Sequence, residues 1–218
     1  MLFFAAGGAS EFMPRQNRVT PFGDIVAVPA RGTLMGNRGC LHSASGRILR
    51  PYRLTNWIYC VLSFKGRRRA VMSPGRYTEL FFLDEATALA AGHRPCFECQ
   101  RGRYNEFMRC WALGNPGLVG ELPLRAPVVD AVLHRERIGP KGEKVKWRAK
   151  LGALPVGVMV EMGEGKAGLV TENGLKPWSP DGYGKLKKVS RELEVLSLTP
   201  GSVVKGIEAG FVPVSGAQ

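Results

Sequence analysis

The sequence predicts an α+β protein: a zinc-knuckle core of one β-hairpin plus two helices, followed by a small β-rich C-terminal unit. Three observations predict it. A β-branched and aromatic run, NWIYCVLSF over residues 56–64, reads as a strand and is followed at once by a Lys-Gly-Arg turn. Two helical patterns flank a Cys-x-x-Cys pair, Cys96 and Cys99. Beyond residue 150, short apolar runs recur between glycine-rich turn signals.

Taken in order, residues 24–28 form a short strand, and residues 31–42 form a glycine-punctuated loop. Residues 56–64 pair with residues 68–72 as a hairpin, and residues 77–83 make a third strand. Asp84 caps a short alanine-rich helix, because its carboxylate can accept the free N–H groups of the first turn. Gly92 ends that helix as a left-handed residue, and Pro95 prevents its continuation. A second helix runs from about residue 98 to residue 113, with Tyr104, Phe107, Met108 and Trp111 on one face at i, i+3, i+4 and i+7. Residues 128–133 form a strand or short helix. Residues 156–162, 167–171 and 192–198 are strands, and a last helix opens with Thr199 as N-cap and Pro200 in its first turn. The division that follows is a basic arm (13–53), a zinc unit (54–115), a basic linker (116–150) and a β-rich unit (151–218). Met13 begins a typical basic stretch, so residues 1–12 read as a misassigned or non-native start.

Hydrophobic content of 44% excludes a disordered tail, and no apolar run reaches the length of a membrane span. The start has no basic n-region, so the expected location is cytoplasmic. Lys plus Arg is 31 against 18 acids, a net charge of +13, which favours a polyanionic partner. The excess is regional: residues 1–78 hold twelve cations and two acids, and a second basic run covers residues 135–150.

Five cysteines with one close pair suit a metal better than a disulfide framework. Two thiols two residues apart can chelate one tetrahedral Zn²⁺ at about 2.3 Å. A thioredoxin-like redox pair would follow a strand, whereas here a helix, a glycine and a proline precede it.

The stretch ELFFLDEATALAAGHRPCFECQR, residues 79–101, resembles the metal-binding domain of Ada-type DNA repair proteins. The shared pattern is a strand ending in two aromatics, an alanine-rich helix, then Ala-Gly-aromatic-Arg-Pro-Cys-x-x-Cys. The resemblance implies a structural zinc held by four ligands and contact with the DNA backbone. It places Cys96 and Cys99 as one ligand pair and Cys60 on the strand of the other. Phe64 stands where that pair's second cysteine would be, which argues against the family's methyl-acceptor chemistry. The fourth ligand is expected from His42, Cys40 or His134, with His42 first because it closes the loop before the Cys60 strand.

Nucleic acid, DNA before RNA, is the expected partner. Lys65, Arg67, Arg68 and Arg69 crowd the hairpin turn beside Cys60 and could straddle phosphates. Arg101 and Arg103 open the second helix, where the helix dipole favours an anion. Trp147 lies among five cations between residues 141 and 150, a pattern that can stack a base while pairing phosphates. The main rival is a zinc hydrolase or deaminase-like enzyme with Cys96, Cys99 and His134 as ligands and Glu136 as proton shuttle. A third reading is a zinc-stabilised protein-interaction module.

Overall fold

The computed structural model describes residues 13–68, 70–120, 123–163 and 165–216. Residues 1–12, read above as a misassigned start, and Arg69 lie outside them. Among the described residues the fold is α+β, with two six-stranded sheets and four α-helices.

The first sheet is mixed. It contains β1 (Gln16–Val19), β2 (Ile25–Ala27), β3 (Leu34–Asn37), β4 (Ile58–Val61), β5 (Leu80–Phe82) and β6 (Arg94–Pro95). The spatial order is β2-β1-β5-β3-β4-β6, with β1–β5 and β4–β6 parallel. Residues 13–53, expected as an arm, thus supply three of its strands. The hairpin also differs from expectation. β4 pairs with β3 upstream, and residues 68 and 70–72 form no strand. Lys65 and Gly66, both with positive φ, do make a tight turn, closed by Arg67 N donating to Phe64 O at 3.1 Å, but among the described residues no ladder follows it: Met72 N donates instead to the Glu79 carboxylate at 2.7 Å. Gly36 on β3 lies under the Phe82 ring, where any side chain would collide with it. This glycine, which reads as a loop residue, is what lets β3 and β5 pair.

Helix α1 (Glu85–Ala90) lies between the sheets, and all six of its residues are buried. Its small side chains permit that closeness. Asp84 accepts from Thr87 N at 2.8 Å, the expected cap, and Gly92 takes φ 83° to turn the chain into β6. Helix α2 (Arg101–Gly114) packs along α4 (Gly201–Glu208), and the backbone of α4 at Lys205 comes so close that only glycine fits at position 114. Helix α3 (Ala126–Arg137) occupies the expected linker.

The second sheet is antiparallel. It contains β7 (Trp147–Lys150), β8 (Met159–Glu161), β9 (Ala167–Thr171), β10 (Gly174–Ser179), β11 (Gly182–Tyr183) and β12 (Glu194–Ser197), in the order β11-β10-β9-β8-β12-β7. The β9–β10 hairpin turns through Glu172-Asn173, with Thr171 opposite Gly174. The larger of two hydrophobic clusters joins the sheets and helices: Tyr59 and Phe82 from the first sheet, Val160, Val170 and Val195 from the second, and Phe107, Trp111, Val204 and Ile207 from the helices. Residues 151–218 therefore share the core of the first sheet. No helix among the described residues is long and apolar enough to cross a membrane.

Candidate metal centre

Three thiols meet at one end of the β4–β6 pair. Cys60 is on β4, Cys96 follows β6, and Cys99 ends the turn before α2. The parallel pairing of Tyr59 with Pro95 brings Cys60 beside Cys96, and Cys96 N donates to Tyr59 O at 2.9 Å. The Gln100 side chain donates to the same carbonyl at 3.0 Å and ties the turn to the strand. The three sulfur atoms lie within 4.8 Å of one another. Sulfurs on one tetrahedral ion with bonds of about 2.3 Å stand roughly 3.8 Å apart, so a shift of under about 1 Å closes the group on a metal.

The surroundings favour thiolate at Cys96. A hydrogen bond from the Cys60 thiol, and then the backbone N–H groups of Cys99 and Glu98, hold Cys96 down to about 5 against its burial. The same contact with Cys96, together with burial, pushes Cys60 up, and burial pushes Cys99 up. The three thiols thus share protons that a metal would displace. The group can hold a metal ion.

The knuckle is fixed from behind. Arg94 makes a two-pronged ion pair with Asp130 of α3, both contacts at 2.8 Å and both side chains buried. Tyr59 donates to Glu85 of α1, which also takes Arg103 of α2. Strand, knuckle and helices are thereby cross-linked by buried charge on the core side of the thiols.

His42 stands apart from the thiols. It is buried, with Nδ1 at 2.6 Å from Thr78 Oγ1 and Nε2 at 3.3 Å from Ser73 O. Cys40 contacts the His42 carbonyl and is also outside the group. His134 packs edge-on to Tyr52 and contacts Arg137. Glu136 accepts from Ser202 N at 3.1 Å and from its hydroxyl at 2.5 Å, at the start of α4. Neither His134 nor Glu136 joins the thiols, so the hydrolase arrangement is not assembled. Among the described residues only Cys60, Cys96 and Cys99 form such a group.

The expected nucleic-acid residues divide. Lys65, Arg67, Arg68 and Arg101 are exposed around the knuckle. Arg67 reaches Glu98 at 2.6 Å, folding its loop over the knuckle turn. Arg101 lies over the Phe97 ring at 4.2 Å, and Phe97, inside the Cys-x-x-Cys turn, is 48% exposed. Arg103 is occupied: it pairs with Glu85 and Glu106, donates to Val212 O and covers Phe211. Trp147 donates Nε1 to Thr199 O at 3.0 Å and packs on the core. Lys146, Arg148 and Lys150 pair with Glu161, Glu194 and Glu192 of the second sheet and its flank, so this basic run is largely compensated.

Sequence reading missed the buried cations Arg38 and Arg137. Both lie over the ring of Trp57, which the strand pattern had used only as an apolar residue.

No family model, curated protein or solved structure matches this chain.

Proposed function

We propose that this is a zinc protein that binds the backbone of nucleic acid, DNA before RNA, through the surface around its thiol cluster. The observation that carries the reading is the convergence of Cys60, Cys96 and Cys99 beneath a rim of Lys65, Arg67, Arg68 and Arg101 with an exposed Phe97. Soft thiolates select Zn²⁺ over hard cations such as Mg²⁺ or Ca²⁺. Three thiolates bring three negative charges to a divalent ion, and the cationic rim offsets the excess. Exposed cations beside an exposed aromatic ring can pair phosphates and stack a splayed base. The metal's part is structural: it locks the knuckle turn to β4 and so fixes Phe97 and Arg101 relative to the Lys65–Arg68 turn. Resemblance to the Ada-type domain extends the reading to repair or regulation.

Elemental analysis tests the metal. One zinc per chain is expected in the wild type and in His42→Ala, with loss in Cys96→Ser and Cys60→Ser. Zinc retained in both cysteine variants removes the site. Fluorescence anisotropy with single- and double-stranded DNA and with RNA tests the partner. Affinity should fall steeply with salt, and Arg101→Ala should reduce the salt slope by about one. Binding that is indifferent to salt and to Arg101 refutes the nucleic-acid half.

A further inference from the structure

A second polar site lies beyond the other end of β4. Trp57 immediately precedes that strand, and the guanidinium carbons of Arg38 and Arg137 sit 4.0 and 3.9 Å from its ring centre. Arg38 follows β3, and Arg137 ends α3. Lys144, in the turn between α3 and β7, donates its ammonium to Ala90 O. These three cations line one cavity of about 530 Å³, and the exposed Arg50 stands at its edge. Two acids also line it, Asp24 and Glu143.

Asp24 acts on Arg38 and Lys144 only from a distance. Among the described residues, none of these four cations takes part in an ion pair. Arg38 donates to Gly23 O, Pro51 O and His93 Nε2, and Arg137 donates to Gly92 O and Thr55 O. Donors are still left over: among the described residues, Arg38 Nη2 and Arg137 Nε are buried without a hydrogen-bond partner. Burying unpaired cations is costly, and the capping of carbonyls could be done by neutral amides. Burial, with help from Arg38 and Arg137, pushes Lys144 down to about 7, a sign of how unfavourable the positive charge is there.

We propose that this cavity binds a phosphate-bearing ligand, its dianion held among Arg38, Arg137 and Lys144. Guanidinium forks match phosphate oxygens, and four basic groups against two acids leave an excess of up to two positive charges for a dianion. The cavity is larger than phosphate alone, and Ile48 and Pro51 offer an apolar wall to an organic body. The indole of Trp57 is taken by the two guanidinium groups, so recognition is of the phosphate and not by stacking. Trp57 lies three residues before Cys60, about 10 Å along an extended strand. This site is therefore separate from the thiols and stands whether or not the zinc reading holds. The phosphate can belong to a small metabolite or to the end of a nucleic-acid strand.

Thermal melts of the full chain as purified, in inorganic phosphate against chloride at equal ionic strength, test the site. The expected result is a saturable rise in melting temperature in phosphate, smaller in Lys144→Met and in Arg50→Gln. Arg50 is exposed, so its variant folds even if the buried change does not. No rise beyond chloride, or an equal rise in wild type and Arg50→Gln, overturns the proposal. A trinucleotide with a 5′-phosphate that outdoes its 5′-hydroxyl counterpart assigns the phosphate to a strand end. A response to inorganic phosphate with none to either trinucleotide assigns it to a small molecule.

Discussion

His93 shows how a residue beside a metal motif is assigned by its neighbours. It lies three positions before Cys96, yet its ring packs between Trp57 and Phe82, at 5.1 and 4.6 Å, and its Nε2 accepts from Arg38. That bond needs the neutral ring with its proton on Nδ1. Burial first, then Arg38 and Arg137, pushes its pKa well below 6.5. The unfolded chain takes up a proton below pH 6.5 that the native ring refuses, so stability falls as pH drops through that value, by up to about 1.4 kcal/mol per unit. Denaturation midpoints measured from pH 7 to pH 5 should fall, and His93→Gln, whose amide oxygen can still accept from Arg38, should flatten the decline. An unchanged slope in that variant would place the acid sensitivity in another group. Arg94 is decided in the same way. Its sequence position allows a phosphate or a carbonyl as partner, and the fold gives it Asp130 and the Pro95 carbonyl.

Among the elements, α4 is the clearest case of a boundary that local pattern puts one residue off. The sequence expects Thr199 as the N-cap, but the helix begins at Gly201, and Thr199 turns inward to accept from Met159 N at 3.0 Å. The cap comes from elsewhere: Glu136, at the end of α3, offers its carboxylate to Ser202 N. Glu136→Ala should therefore cost about 1–2 kcal/mol in urea unfolding. It should leave zinc content and nucleic-acid affinity as they are. Unfolding unchanged in that variant would remove Glu136 as the cap. By contrast α1 follows its sequence closely, because its cap at Asp84 and its stop at Gly92 are interactions within a few residues.

Across the whole molecule, the thiol group lies at the margin of a large shared core. Cys60, Cys96 and Cys99 join β4, β6 and the start of α2, whereas the core runs through both sheets and all four helices. A small zinc finger unfolds without its metal because it has no other core. This chain should behave otherwise. A chelator should lower the melting temperature while far-ultraviolet circular dichroism keeps its folded shape at room temperature. Collapse of that signal on chelation would mean that the core depends on the metal. The charge of +13 is also apportioned by the fold: a share is cancelled on the second sheet, a share is buried around Trp57, and a share is left at the knuckle rim.

By itself the sequence determined the α+β class, the cysteine pair, the cap and stop of α1 and the apolar face of α2. Each rests on residues near in the chain, where spacing and backbone preference suffice. Only the tertiary structure decided that β3 is the strand paired antiparallel with β4. It also decided that Cys60 completes the thiol group while His42 does not, and that Trp147 and Arg103 are occupied. Those outcomes depend on partners distant in the chain, Thr199 for Trp147 and Glu85 for Arg103 among them. A charge or a ring carries no mark in the sequence of what will be folded against it.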